Sequence, residues 1–307
     1  MRKSLIIHPS ELSIDWIDKA IKSGCNAIGL HPIGGENAHL SAEELLCDLE
    51  KKEFRKLIDY AKKSGLEIEY EMHAARYFLK EELFAEHPEY FRMNETGERT
   101  TDFNFCVSNE EALEIVANNA AALAEKLYGS CRNYYFWLDD VRESGCCCDK
   151  CKNFTPSDQQ MIVINKIAKK LREIIPGARI AYLAYHDCLA PPKSVKPEEG
   201  VFLEYAPIEK WYGDNIVKME ELDGNIKELI EFFGKENSKV LEYWYDNSLF
   251  SRYKLPPVKF IADNELIKKE IKIYEEYGFE QIASFACFLG SDYIELYGEP
   301  DLSAFNN

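Results

Sequence analysis

Eight short runs of β-branched and aromatic residues alternate along the chain with longer stretches in which apolar residues recur at helical spacing. The strand-like runs are 5–8, 27–31, 66–73, 133–139, 179–186, 201–206, 240–246 and 281–288; the helical pattern holds over 14–23, 42–64, 110–127, 159–175, 224–234 and 264–277. Strand followed by helix, repeated, gives parallel strands joined by crossovers. The pattern predicts an α/β fold, one (β/α)8 TIM barrel domain spanning 1–307. The Pro-rich link 190–197 is too short for a good helix, so a loop should replace one barrel helix there. A doubly wound open sheet is the alternative, although no Gly-x-Gly-x-x-Gly or Walker-type loop follows a strand to favour it. Ser41 with Glu44 and Ser108 with Glu111 have the spacing of helix-starting capping boxes.

Side chains of a barrel strand alternate between the interior and the helix layer, and the outer positions should be apolar. This parity turns Leu241, Tyr243 and Tyr245 outward and Glu242, Trp244 and Asp246 inward. On the third strand it turns Leu66, Ile68, Tyr70 and Met72 outward and Glu67, Glu69, Glu71 and His73 inward. Glu204, His186, His31 and His8 also point inward. An unpaired buried carboxylate costs on the order of several kcal/mol, so these acids need partners; those near strand starts, such as Glu67, should form a structural network. His31, His73, Asp139, Asp140, His186, Glu204 and Asp246 lie nearest the carboxyl ends, where barrel enzymes carry their chemistry. The most informative run, Tyr134-Tyr135-Phe136-Trp137-Leu138, ends in the adjacent carboxylates Asp139 and Asp140, which points to acid/base work on a polar substrate.

Between the third strand and the helix near Glu110, residues 74–109 form a long irregular insertion, expected to be a substrate loop. Its Arg76, its aromatics and its amides suit sugars, whose rings stack on aromatic faces and whose hydroxyls take directional hydrogen bonds. A net charge of −17 without a dense Lys/Arg run argues against a nucleic-acid partner. No apolar run approaches the roughly 20 residues of a membrane span, and no secretory-signal pattern follows Arg2 and Lys3. The ten cysteines therefore read as reduced thiols in a cytoplasmic protein. Cys146, Cys148 and Cys151, in a loop over 141–157, have C-x-C-x-x-C spacing. They suit a structural zinc ion if Cys106, Cys188 or His186 supplies a fourth ligand; packed free thiols and a disulfide are the alternatives. No cofactor is expected to be required for catalysis.

The runs His87-Pro88-Glu89-Tyr90-Phe91, Asn94-Glu95-Thr96-Gly97-Glu98-Arg99-Thr100 and Asn104-Phe105-Cys106, the helix after them, the strand ending in Asp139-Asp140 and the cysteine cluster resemble the DUF4838 family. This is a barrel domain of bacterial glycoside-hydrolase-like proteins, related in architecture to α-glucuronidases and β-hexosaminidases. The resemblance is clearest over 65–155 and implies a hydrolase acting on a carbohydrate, an oligosaccharide or glycoconjugate. The adjacent aspartates also look like the pair of N-acetylhexosaminidases that use the substrate's acetamido oxygen as nucleophile. That likeness implies that Asp139 orients the acetamido group. Asp140, its pKa raised by burial and by its neighbour, would protonate the leaving oxygen. Trp137, Tyr185, Tyr205 and Trp244 are candidates to surround the acetamido group. A two-carboxylate scheme instead pairs Asp140 as acid with Asp246 or Glu242 as nucleophile or base. A metal-dependent sugar isomerase or lyase would use His31, His73, His186, Glu204 and Asp246 around a divalent ion. A non-catalytic carbohydrate-binding barrel is the remaining class. Oligomeric state is not legible.

Overall fold

The computed structural model describes residues 1–35, 37–211 and 219–306, and of 219–222 the backbone alone. Eight parallel strands close into a barrel in sequence order: β1 Arg2–Ile7, β2 Ala27–Leu30, β3 Glu67–His73, β4 Ser130–Trp137, β5 Arg179–Ala184, β6 Val201–Tyr205, β7 Lys239–Glu242 and β8 Gln281–Phe285. The ring closes where Arg2 pairs with Gln281 and Ile6 with Phe285. Every expected strand is present, and the open sheet is excluded. The helices are α1 Ile14–Lys22, α2 Ala38–Glu50, α3 Lys52–Lys63, α4 Ala75–Phe78, α5 Glu110–Lys126, α6 Pro156–Ile174, α7 Met219–Phe233, α8 Asn247–Phe250, α9 Asn264–Tyr277 and α10 Ser291–Tyr297. None among the described residues is long and apolar enough to cross a membrane.

Local chemistry accounts for most boundaries. Thr155 and Asp158 form a reciprocal capping box with Pro156 at the first position of α6, and α9 stops at Gly278, whose φ of 96° needs no Cβ. Three expectations were displaced. The helix expected over 42–64 breaks at Lys51, which is extended (φ −73°, ψ 129°). Ser41 lies inside α2, and Asn109 rather than Ser108 caps α5 by accepting from the Ala112 N–H. Between β5 and β6 only the short turn His186–Cys188 forms, as the Pro-rich link requires.

An outer core fills the space between strands and helices, and an inner one containing Ile6, Tyr135, Trp137, Leu183, Phe202, Leu241, Tyr243 and Phe285 fills the barrel. The expected parity holds on β3 and fails on β7. Leu241 and Tyr243 point inward, while Glu242 and Trp244 face the helices. There Glu242 accepts from Lys210 (2.5 Å) and Tyr274 (2.5 Å), and Trp244 donates to Glu270 (2.6 Å). Lys210 also pairs with Glu270, so a buried cation outside the barrel makes an acidic outward face tolerable. Tyr205 faces the same layer, beside Phe279.

The inward acids have partners that the pattern did not reveal. Lys239 lies 2.7 Å from Glu71, 3.4 Å from Glu69 and 3.3 Å from Glu204. Arg2 reaches Glu69 at 2.6 Å, and the Trp137 indole donates to Glu204 at 2.8 Å. Burial would raise the Glu69 carboxyl, but Lys239 and Arg2 outweigh it and hold it at about 2. Burial, opposed only partly by Lys239 and reinforced by Glu204 and Glu69, pushes Glu71 well above the carboxylate range.

Candidate active site at the barrel mouth

At the carboxyl ends of the strands lies a cavity of about 420 Å³, within the usual range for small-ligand sites. Trp137 at the end of β4, Tyr185 after β5, Tyr243 after β7 and Phe285 and Phe288 from β8 supply its aromatic walls. His8, His31 and His73, at the ends of β1, β2 and β3, line one side, and Asp140 and Asp246 supply carboxylates; among the described residues no Lys or Arg lines it. Each imidazole is fixed by its Nδ1: His8 to the His31 carbonyl (2.9 Å), His31 to the Glu71 carbonyl (2.8 Å) and His73 to the Leu138 carbonyl (2.5 Å). β1 and β2 end just before His8 and His31, which sit on the first turns of the loops, whereas His73 is the last residue of β3, paired with Trp137.

The adjacent aspartates part company. Asp140 is exposed and accepts from the Tyr185 hydroxyl at 2.8 Å, with His186 Nε2 at 3.8 Å. Asp139 turns instead into a small cleft beside Asn104, Ser144 and His186. Its Oδ2 accepts from the Asn104 N–H (2.6 Å), and its own N–H donates to the Asn104 side chain (2.9 Å). Burial pushes the Asp139 carboxyl up against the pull of the Asn104 N–H, His73 and Arg76. Sequence reasoning expected burial at Asp140; the reciprocal clamp with Asn104 draws Asp139 inside and leaves Asp140 at the rim. Asp246 is buried. Its Oδ1 caps α8 by accepting from the Ser248 N–H (3.1 Å), the Ser248 hydroxyl (2.5 Å) and the Leu249 N–H (3.3 Å), and burial raises its pKa to about 6.

The other expected site residues scatter. Arg76, in α4, donates to the Thr101 carbonyl and borders a separate cleft with His39 and Tyr77. His186 turns to Glu209 at 3.1 Å. Glu204 lies below the mouth on Lys239 and Trp137, while Glu242, Trp244 and Tyr205 face the helix layer, away from the cavity. The divalent set His31, His73, His186, Glu204 and Asp246 is therefore not brought together. Among the described residues, the groups of three or more ligand types that converge within 4.8 Å are Cys106 with Cys146, Cys148 and Cys151, and His8 with Glu11 and Cys287. In the second group Glu11 is already engaged by the backbone N–H groups of His8 and Phe288. The sequence reading missed Tyr243, Phe285, Phe288 and Asn104. The reversed parity of β7 hid Tyr243, and Asn104 was legible only through its place two residues before Cys106.

Cys106 is the fourth member of the thiol cluster; Cys147 is exposed and outside it. The four thiols are buried and unbridged. The Cys106 sulfur lies 3.8 Å from those of Cys148 and Cys151, about the edge of a tetrahedron built on zinc–sulfur bonds of ~2.3 Å. The Met93 N–H (3.3 Å) and Arg99 (3.8 Å) donate toward Cys146, which favours thiolates. The donor set fits zinc. The cluster ties the insertion to the loop after β4, as do the Cys147 N–H on the Met93 carbonyl and Arg92 on the Glu143 carbonyl.

A family model described as a domain of unknown function, DUF4838, matches residues 47–291. No curated protein sequence matches the chain. Among solved structures, the fold is similar to a β-galactosidase from Rahnella sp. R3 (TM-score 0.56, 10% identity, covering 93% of this chain and 50% of that one). It is also similar to a β-galactosidase from Halorubrum lacusprofundi (TM-score 0.55, 10% identity, 99% and 56%). A third is endo-glycoceramidase II from Rhodococcus sp. (TM-score 0.51, 10% identity, 93% and 72%). At these identities the likeness is one of fold, and the chain spans about half the length of the β-galactosidases it matches.

Proposed function

The chain belongs to the DUF4838 family, and from the barrel mouth we propose that it is a glycoside hydrolase whose chemistry is carried by Asp140 and Asp246. The observation that supports this reading is the placement of two carboxylates, from the ends of β4 and β7, on one aromatic-walled cavity of sugar-binding size. Asp246, raised by burial to about 6, holds its proton in mildly acidic solution and gives it to the glycosidic oxygen as the bond to the anomeric carbon breaks. Asp140, bonded to Tyr185, attacks that carbon or deprotonates the water that does. These roles reverse the order in which the sequence paired the two residues. The acetamido-assisted scheme would need Asp139 to leave Asn104 and enter the mouth, so the geometry favours the two-carboxylate scheme; Asp139 acts as a positioning residue.

In the same reading, Cys106, Cys146, Cys148 and Cys151 hold a structural zinc ion, which fits a reducing compartment such as the cytoplasm. It pins Cys106 and thereby Asn104 against Asp139, and no chemical step passes through it. The test is turnover of a panel of 4-nitrophenyl and 2,4-dinitrophenyl glycosides by the wild type, Asp140→Asn and Asp246→Asn. An acid at Asp246 requires that D246N lose at least about a hundredfold on the poorer leaving group and far less on the dinitrophenyl one, while D140N loses both. No release by the wild type from any sugar would leave a binding-only barrel.

A further inference from the structure

The β1 to β3 side of the mouth presents three imidazoles whose orientation is fixed by the backbone. A carbonyl oxygen only accepts, so the Nδ1 atoms of His8, His31 and His73, each set on a carbonyl at 2.5 to 2.9 Å, must carry the proton. In the neutral ring this leaves Nε2 as an acceptor. No protein donor among the described residues reaches any of these three Nε2 atoms, although His31 and His73 are only 8% and 9% exposed. Two of them converge: a Cβ on Gly34 would stand 3.8 Å from Nε2 of His31 and 3.9 Å from that of His73. These Nε2 atoms face the cavity and not the protein interior, so this wall offers acceptors to donors brought by a ligand.

We propose that this wall selects a neutral sugar, whose hydroxyls donate to Nε2 of His8, His31 and His73, and that it rejects uronides and sugar phosphates. The inference rests on the reading of the mouth as a glycoside site and names its substrate class. An anionic sugar would meet acceptors on this side and the carboxylates Asp140 and Asp246 elsewhere, with no Lys or Arg among the described residues lining the cavity to offset its charge. Burial holds His8 below the usual imidazole range and, with His8 and His73 close by, His31 well below it, so these two rings stay uncharged near neutral pH. A transition metal is the other partner of three imidazoles. The trio, with neighbouring ring centroids 6.0 and 6.3 Å apart, is not among the sets that close within 4.8 Å. That spacing suits several hydroxyls of one ring better than a single ion.

The experiment uses the full chain labelled with ¹⁵N-histidine, titrated separately with galactose, glucose, galacturonate, glucose 6-phosphate and Zn²⁺. The expected free-protein spectrum has all three rings as the Nδ1–H tautomer. At least one neutral sugar should then shift the Nε2 resonances of His31 and His73, and bind at least tenfold more tightly than either anion. His31→Phe, which keeps a ring against Trp137 and Phe285, should weaken that sugar about tenfold, the upper range for one neutral hydrogen bond; His31→Gln, which keeps an acceptor, should recover most of it. Anions binding as tightly as neutral sugars, Zn²⁺ held by the trio, or neutral sugars leaving all three Nε2 resonances unmoved would each overturn the proposal. Because the readout is binding, a protein that hydrolyses nothing can still pass this test. Conversely, efficient turnover of a glucuronide unaffected by His31→Phe would overturn the inference and leave the hydrolase reading standing.

Discussion

Glu69, Glu71 and Glu204 lie inside the barrel within 3.4 Å of Lys239, whereas Asp140 and Asp246 line the mouth with no Lys or Arg among the described residues of the cavity wall. Both sets are carboxylates carried by the strands of one sheet or the loops just after them, and their chemistry alone does not distinguish them. Company does. The interior acids are desolvated; Lys239 and Arg2 offset that cost for Glu69 and only in part for Glu71, and the network ties β1, β3, β6 and β7 together. At the mouth, Tyr185 and the first turn of α8 orient the acids without neutralising them, which leaves their charge and protons for a ligand.

The largest effect should separate these two sets cleanly. D246N and D140N should each lower turnover of 4-nitrophenyl glycosides by about a thousandfold, within the span of general acid–base contributions. Their urea midpoints should stay near that of the wild type, since Asn also caps a helix. Lys239→Met should do the reverse. Removing the cation leaves buried carboxylates uncompensated, and equilibrium unfolding should register a loss of about 3–5 kcal/mol. A D246N protein destabilised as much as K239M would erase the contrast.

Opposite pH slopes follow from the pKa values. Asp246 sits at about 6 when folded, above its ordinary value of 3.8, so its contribution to stability is full below 3.8 and is lost as pH rises through about 6. The same deprotonation removes the proposed acid, and kcat/KM should fall over that limb. Glu69, held at about 2, contributes fully above its ordinary value of 4.5 and loses that contribution as pH falls toward 2. Stability titrations of D246N and Glu69→Gln should flatten these two limbs separately.

A smaller loss is expected from Cys106→Ser. Bound zinc should fall from about one per chain to none by elemental analysis, and activity should drop about tenfold as Asn104 releases Asp139, similar to the loss of an outer-shell partner at a metal site. The smallest effect belongs to Asp139→Asn, expected to cost about tenfold or less because an amide can still accept from the Asn104 N–H. A thousandfold loss there would restore the acetamido-assisted pair.

The alternation of strand and helix in the sequence was enough to determine the eight strands, their closure into a barrel and the missing helix after β5. Those features depend on local periodicity and turn chemistry, which neighbouring residues impose on one another. The facing of β7 did not. An apolar outward side was the only rule available, and Lys210, far away in sequence, makes Glu242 acceptable on the helix side. Likewise the C-x-C-x-x-C spacing could name three thiols, but only the folded insertion brings Cys106 to them, with Asn104 following onto Asp139. The sequence therefore determined which strands exist and which segments carry acids and thiols. Tertiary structure alone decided which acids are paired, which aspartate enters the mouth and which imidazole nitrogen faces it, because charge pairing and backbone hydrogen bonds join residues that the chain keeps far apart.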